Sequence, residues 1–233
     1  MAAVEGEEVV AVVCHVQNGN VLLQAPMHAA EIALAAVRES GRKVRGLIGP
    51  LAQVEEARGA LGLTGVPATF EIPEVLYALA VNELVVPGGE WECRVVTPED
   101  FEEVALHRAE YVVEAIGEQR SEKTLPEARE AIQRGALDRS QFVLRVGGRP
   151  VSSGCFNARL PDVVQLGGIF TPRSERGKGH ARRLVAGMLQ QAGAEGVTRA
   201  VLFTAQDNVA AQRAYEALGF RRVGDYGLLL WPD

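Results

Sequence analysis

Between Ala181 and Ala192 the apolar residues Ala181, Leu184, Val185, Met188, Leu189 and Ala192 recur at i, i+3, i+4, i+7, i+8 and i+11. That spacing predicts a helix with one apolar stripe laid on a sheet. Upstream, the pattern predicts a strand over Trp91 to Val96, and Thr97 with Pro98 behind it marks the start of a helix from about Glu99 to Ile116. A second helix is signalled by Pro126 and the stretch from Glu127 to Gln133, ending near Gly135. Two strands, Gln141 to Val146 and Pro150 to Asn157, read as a hairpin through Gly147 and Gly148, and a third runs from Val163 to Thr171 before Pro172. After the amphipathic helix come a strand over Ala200 to Thr204 and a helix capped by Asp207 or Asn208. That helix has Ala211, Ala214, Tyr215 and Leu218 on one face and is closed by Gly219. Phe220 to Val223 and Tyr226 to Leu230 supply two final strands. The order predicts a mixed sheet with helices on both faces.

The first ninety residues repeat this ending in fainter form. A strand over Val44 to Ile48 and a helix over Val54 to Leu61 end in Ala57-Arg-Gly-Ala-Leu-Gly-Leu63, which lies over Ala214-Tyr-Glu-Ala-Leu-Gly-Phe220. Before them, Asn20 to Gln24 reads as a strand and Met27 to Arg38 as a helix, joined only by Ala25-Pro26. The first copy therefore has no glycine loop. Leu51 and Arg58 stand where Asn208 and Tyr215 stand in the second copy, so its polar residues are missing too. The segment Pro87 to Glu90 is the expected boundary, giving domains at 1–89 and 90–233.

Composition narrows the chemistry. The longest apolar runs, such as Val9 to Val13, are far below the roughly 20 residues of a membrane span, and MAAVEGEEVV has no signal-peptide pattern. A cytoplasmic, membrane-free protein is expected. Cys14, Cys93 and Cys155 form no CxxC pair, and His15, His28, His107 and His180 show no ligand spacing, so neither disulfides nor a metal are expected. A net charge of −6 speaks against nucleic acid as a partner. Yet Arg173, Arg176, Lys178, Arg182 and Arg183 crowd together, as suits a small anionic ligand.

That cluster contains Arg176-Gly-Lys-Gly-His-Ala181, directly after a strand and directly before the amphipathic helix. Backbone without side chains can approach a diphosphate, and the first free amides of a helix point at the anion. A P-loop would need glycine at Pro172 and Ser or Thr at Gly179, and a dinucleotide fingerprint would need a small residue at Arg182. Both patterns fail. A plain strand-to-helix turn using glycines for geometry remains the alternative.

The sequence here resembles the GNAT superfamily of N-acetyltransferases. Arg176, Gly179 and Ala181 occupy the family's pyrophosphate-loop positions after a strand ending in Thr-Pro, and Asn208, Ala211, Tyr215 and Leu218-Gly-Phe220 match its later strand, helix and closing strand. The resemblance covers about residues 90 to 230, and Tyr111-Val-Val-Glu-Ala-Ile-Gly117 is similar to one bacterial branch. It implies a GNAT-type mixed, mostly antiparallel sheet flanked by helices, preceded by a smaller, degenerate α/β copy that walls off the acceptor site or mediates homodimer formation. It also implies acetyl coenzyme A as co-substrate. Ile169, Phe170 and Thr171 would meet the pantetheine arm, residues Arg176, Gly177, Lys178, Gly179, His180 and Ala181 the diphosphate, and Asn208 the same extended ligand. Tyr215 would protonate the departing thiolate.

The acceptor side is less defined. The family often places a glutamate on a central strand to take the amine proton, and none occurs between Val163 and Thr171. Glu114 and Glu110 are the candidate bases. The acceptor expected is a small-molecule or peptide primary amine. Two rival readings remain: an acyl coenzyme A sensor without catalysis, and a tandem transferase that takes amino acids from charged transfer RNA.

Overall fold

The computed structural model describes residues 1–232. The exposed strand β1 (Ala2–Glu5) comes first, and alternation of buried and exposed residues builds β2 (Glu8–His15) and β3 (Asn20–Gln24). Helix α1 (Ala29–Ser40) follows, then β4 (Gly46–Pro50), α2 (Leu51–Ala60) and the long strand β5 (Phe70–Ala80). Strand β6 (Glu92–Val95) leads into a turn where Thr97 and Asp100 form a capping box, Thr97 N donating to Asp100 Oδ2 at 3.0 Å. That box launches α3 (Phe101–Glu114), and α4 (Thr124–Leu137) returns beside it. The hairpin β7 (Gln141–Val146) and β8 (Arg149–Arg159) precedes β9 (Val163–Phe170). The chain closes with α5 (His180–Ala194), β10 (Arg199–Ala205), α6 (Val209–Glu216) and β11 (Arg221–Leu230).

These elements form two compact units. One comprises residues 1–76, 203–207 and 223–233, the other residues 77–202 and 208–222. A single cut at Pro87 to Glu90 does not describe them, because each unit takes closing strand residues from the far half of the sequence. In the first unit β1, β2 and β3 pair antiparallel, β3 and β4 parallel, and β4 and β11 antiparallel. Its core gathers Val13, Val21, Leu47, Val54, Leu229 and Trp231. In the second unit β6 to β9 are successive antiparallel neighbours, β9 and β10 are parallel, and the end of β5 lies beside β10. Leu184, Val185, Met188 and Leu189, the apolar stripe of α5, are wholly buried in this unit.

The internal repeat is visible as topology. In both units a strand, a crossover helix, a parallel strand and a further helix follow one another, as β3-α1-β4-α2 and as β9-α5-β10-α6. Both crossover helices start from a left-handed residue, Gly179 at φ 78° and His28 at φ 61°. Two expectations are corrected. The last two strands are one continuous strand, β11, and β1, β2 and β5 have no counterpart in the sequence reading. Pro73 inside β5 masks that strand, because a proline argues against a strand interior. No helix among the described residues is long and apolar enough to cross a membrane.

Candidate active site

The loop between β9 and α5 is built around unpaired backbone donors. Gly177 and Gly179 both lie at φ 78°, and a Cβ added at Gly177 would meet nothing within 4 Å. Gly179 is the N-cap of α5 and offers no side-chain cap. Among the described residues, the amides from Gly177 through Arg182 donate to no acceptor, whereas Arg183 N already reaches Gly179 O at 3.2 Å. Six consecutive free amides at a positive helix end form a concavity for an anion.

The charged side chains of the same loop are largely engaged elsewhere. Arg176 donates to Glu114 Oε2 at 2.7 Å and to Thr171 O at 2.9 Å, and its guanidinium lies 5.6 Å from the Phe170 ring centroid. Arg173 donates to Glu114 Oε1 at 2.9 Å. Lys178 is bound to Glu175 at 2.9 Å, and His180 Nε2 lies 3.3 Å from the same carboxylate. The hydrogen bond from Arg176, opposed by burial and helped by Arg173, holds the Glu114 carboxyl below its usual range. Glu114 thus anchors the loop to α3 through both arginines. The positive charge left for a ligand comes from Arg182, which is exposed beside Gly179, and from Arg183. Glu110 is half-buried and lines, with Glu114, Arg120, Pro172, Arg173 and Ser174, a recess of about 390 Å³.

Before the loop, the sheet opens. The parallel pairing of β9 with β10 runs from Val163↔Arg199 to Gln165↔Val201 and stops. Beyond it Gly168 sits at φ 59° in a bulge of β9, where the register against β8 shifts between Ser153 and Cys155. A strand edge without a partner accepts an extended, amide-bearing ligand. The carbonyls at its end are already used: Ser152 Oγ donates to Phe170 O at 2.7 Å and Arg176 to Thr171 O. Ile169, just before them, is half-buried.

Tyr215, on α6, is buried at 7 % exposure among Tyr77 and Phe220, whose ring centroids lie 6.3 Å and 6.0 Å away. Burial pushes its phenol well above the ordinary value, and the Tyr111 hydroxyl adds to the rise. No hydrogen bond to the Tyr215 hydroxyl forms among the described residues. It is a neutral donor awaiting an acceptor. Asn208 is exposed and caps α6, its Oδ1 accepting from Ala211 N at 3.1 Å, so only its amide nitrogen remains for a ligand.

A family model described as "Acetyltransferase (GNAT) family" matches residues 105–220, from within α3 to the end of the α6 motif. Residues 105–220 are a GNAT acetyltransferase domain. The fold of the whole chain agrees. An acetyltransferase from the GNAT family of Colwellia psychrerythraea shares 16 % identity at TM-score 0.59, covering 99 % of this chain and 84 % of that one. A GCN5-related N-acetyltransferase from Kribbella flavida shares 20 % identity at TM-score 0.59, with coverage of 92 % and 81 %. A tandem GNAT protein from the clavulanic acid biosynthesis pathway shares 12 % at TM-score 0.53, covering 98 % and 80 %. No curated protein matches the sequence. At these identities the structural likeness shows the fold, and the tandem relative fits the two-unit build.

Two GNAT-domain residues near the site went unremarked in the sequence, Arg108 and Asn157, and Tyr111 was noted there only as part of a family segment and not as a ring beside Arg108. The Gly167-Gly168 pair was the one available signal for the bulge they surround. Nothing in spacing marks an arginine on a helix as lacking a partner.

Proposed function

We propose that the protein transfers an acetyl group from acetyl coenzyme A to a primary amine by direct attack in a ternary complex. The observation that carries this reading is the run of free amides from Gly177 to Arg182, set at a helix N-terminus where the β9 edge has lost its partner. The residues fit a coenzyme A ester: six donors and Arg182 for the diphosphate, and an open strand edge ahead of the loop for the amide-bearing arm.

In this reading the amine nitrogen attacks the thioester carbonyl, the carbon–sulfur bond breaks, and the nitrogen loses a proton. Tyr215 supplies a hydrogen bond, and finally a proton, to the departing sulfur. A phenol of ordinary pKa near 10 gives its proton to a thiolate of ordinary pKa near 8.5 only at a cost of about 2 kcal/mol. Burial widens that gap, so Tyr215 acts through its position and is reprotonated as the product leaves. Glu110 and water are the candidate acceptors of the amine proton, Glu114 being committed to Arg173 and Arg176.

The test is thiol release from acetyl coenzyme A against a panel of primary amines, with Tyr215→Phe alongside. Turnover on some amine is expected, with kcat lowered about 10- to 100-fold in the variant and the affinity for acetyl coenzyme A kept. Binding without turnover on any amine would favour a sensor instead.

A further inference from the structure

Arg108, on the inner half of α3, is half-buried and makes no ion pair or hydrogen bond among the described residues. Its guanidinium carbon lies 5.3 Å from the Tyr111 ring centroid. A half-buried arginine with no counter-charge in the protein is a ready partner for an anionic ligand. Its direction is set by the sheet. A Cβ built on Gly168 would lie 3.7 Å from Arg108 Nη1 and 3.2 Å from Cys155 Sγ, so the guanidinium stands over the bulge of β9.

A second donor occupies the same place. Asn157 lies over the neighbouring Gly167, its Nδ2 within 2.0 Å of where a Cβ would be, so only glycine fits there. Its Oδ1 accepts from Cys155 Sγ at 3.4 Å, and Cys155 Sγ also reaches Gly167 O at 3.4 Å. The Asn157 amide nitrogen donates to nothing among the described residues. Two glycines in succession therefore clear a floor flanked by a half-buried guanidinium and an exposed amide, neither of which has a protein acceptor among the described residues. Gly168 lies between Gln165, where the pairing of β9 with β10 stops, and Phe170, so the floor sits on the stretch of β9 that leads into the glycine loop. The floor thus adjoins the position where acyl transfer would occur, and it is separate from the amides that suit the diphosphate.

We propose that this floor is the acceptor subsite and that the acceptor is an amine carrying a carboxylate, gripped by Arg108 with Asn157 as second donor. This deepens the acetyl-transfer reading and rests on it. A carboxylate is favoured over a phosphate because one planar guanidinium matches its single charge and its paired oxygens.

The experiment compares amino acids with their carboxamides and decarboxylated amines, each at saturating acetyl coenzyme A, on the wild type, Arg108→Gln and Arg108→Lys. Calorimetric binding of the same compounds in the presence of coenzyme A gives a readout without turnover. The expected result is a preference for the carboxylate of about 100-fold in kcat/KM. Arg108→Gln should lose it through a raised KM for the carboxylate-bearing amine, with the affinity for acetyl coenzyme A kept, and Arg108→Lys should restore part of it. Turnover of amines without carboxylate preference would overturn the subsite and leave the acetyl-transfer reading standing. A parallel loss of acetyl coenzyme A affinity in Arg108→Gln would overturn it too, by placing Arg108 on the donor side. Failure of the wild type to bind acetyl coenzyme A would strike the underlying reading instead.

Discussion

His107, next to Arg108 on α3, is 2 % exposed, and neither ring nitrogen has a hydrogen-bond partner. Its ring packs 6.1 Å from Phe170 at the end of β9, and the nearest carboxylate, Glu103, is 3.9 Å away. Burial lowers its pKa from 6.5 to about 4. In the unfolded chain the imidazole takes up a proton as pH falls through 6.5, while in the folded chain it stays neutral until about pH 4. Stability is therefore full above pH 6.5 and is lost as pH falls toward 4, by about 3 kcal/mol at 1.36 kcal/mol per pH unit. His107→Leu removes the titration and two orphaned polar atoms while roughly filling the space. Urea denaturation between pH 4 and 7 should show the variant within about 1 kcal/mol of wild type at pH 7 and about 2 kcal/mol more stable at pH 5. An unchanged difference between the two proteins across that range would refute the reasoning, as would an NMR titration of His107 with a midpoint near 6.5.

Glu74, on β5, provides the opposite slope: burial raises its carboxyl to about 7, and Oε2 has no partner. Its contribution is intact below pH 4.5 and is lost as pH rises through 7, so Glu74→Gln should gain up to about 3 kcal/mol over wild type above pH 7 in the same denaturation assay. Glu114→Gln should cost less than about 1 kcal/mol of stability, because its ion pairs are partly solvated. It should nevertheless weaken acetyl coenzyme A binding, measured by calorimetry, by releasing Arg173 and Arg176, and the loop that carries them, from α3.

The regular parts of the fold were legible where one physical signal dominated. The stripe from Ala181 to Ala192 gave α5, and the Ala-Leu-Gly tails gave the repeat that the parallel pairs β3/β4 and β9/β10 bear out. β5 was hidden by Pro73. The exchange of closing strands could not be read, because pairing over such sequence distances leaves no periodic trace. At the site, the glycine loop was legible as geometry, but the partners of its charges were not. The pairing of Arg176 with Glu114 and the absence of an ion pair at Arg108 are tertiary facts that no spacing along the chain encodes.

The central claim is that the free amides of Gly177 to Arg182 bind the diphosphate of an acyl donor, and calorimetric titration with acetyl coenzyme A tests it most directly. Micromolar binding to the wild type is expected and none to Gly179→Glu, whose side chain would set bulk and negative charge against the anion at a position of φ 78°. Absence of binding to the wild type at millimolar ligand, or equal binding by both proteins, would contradict it.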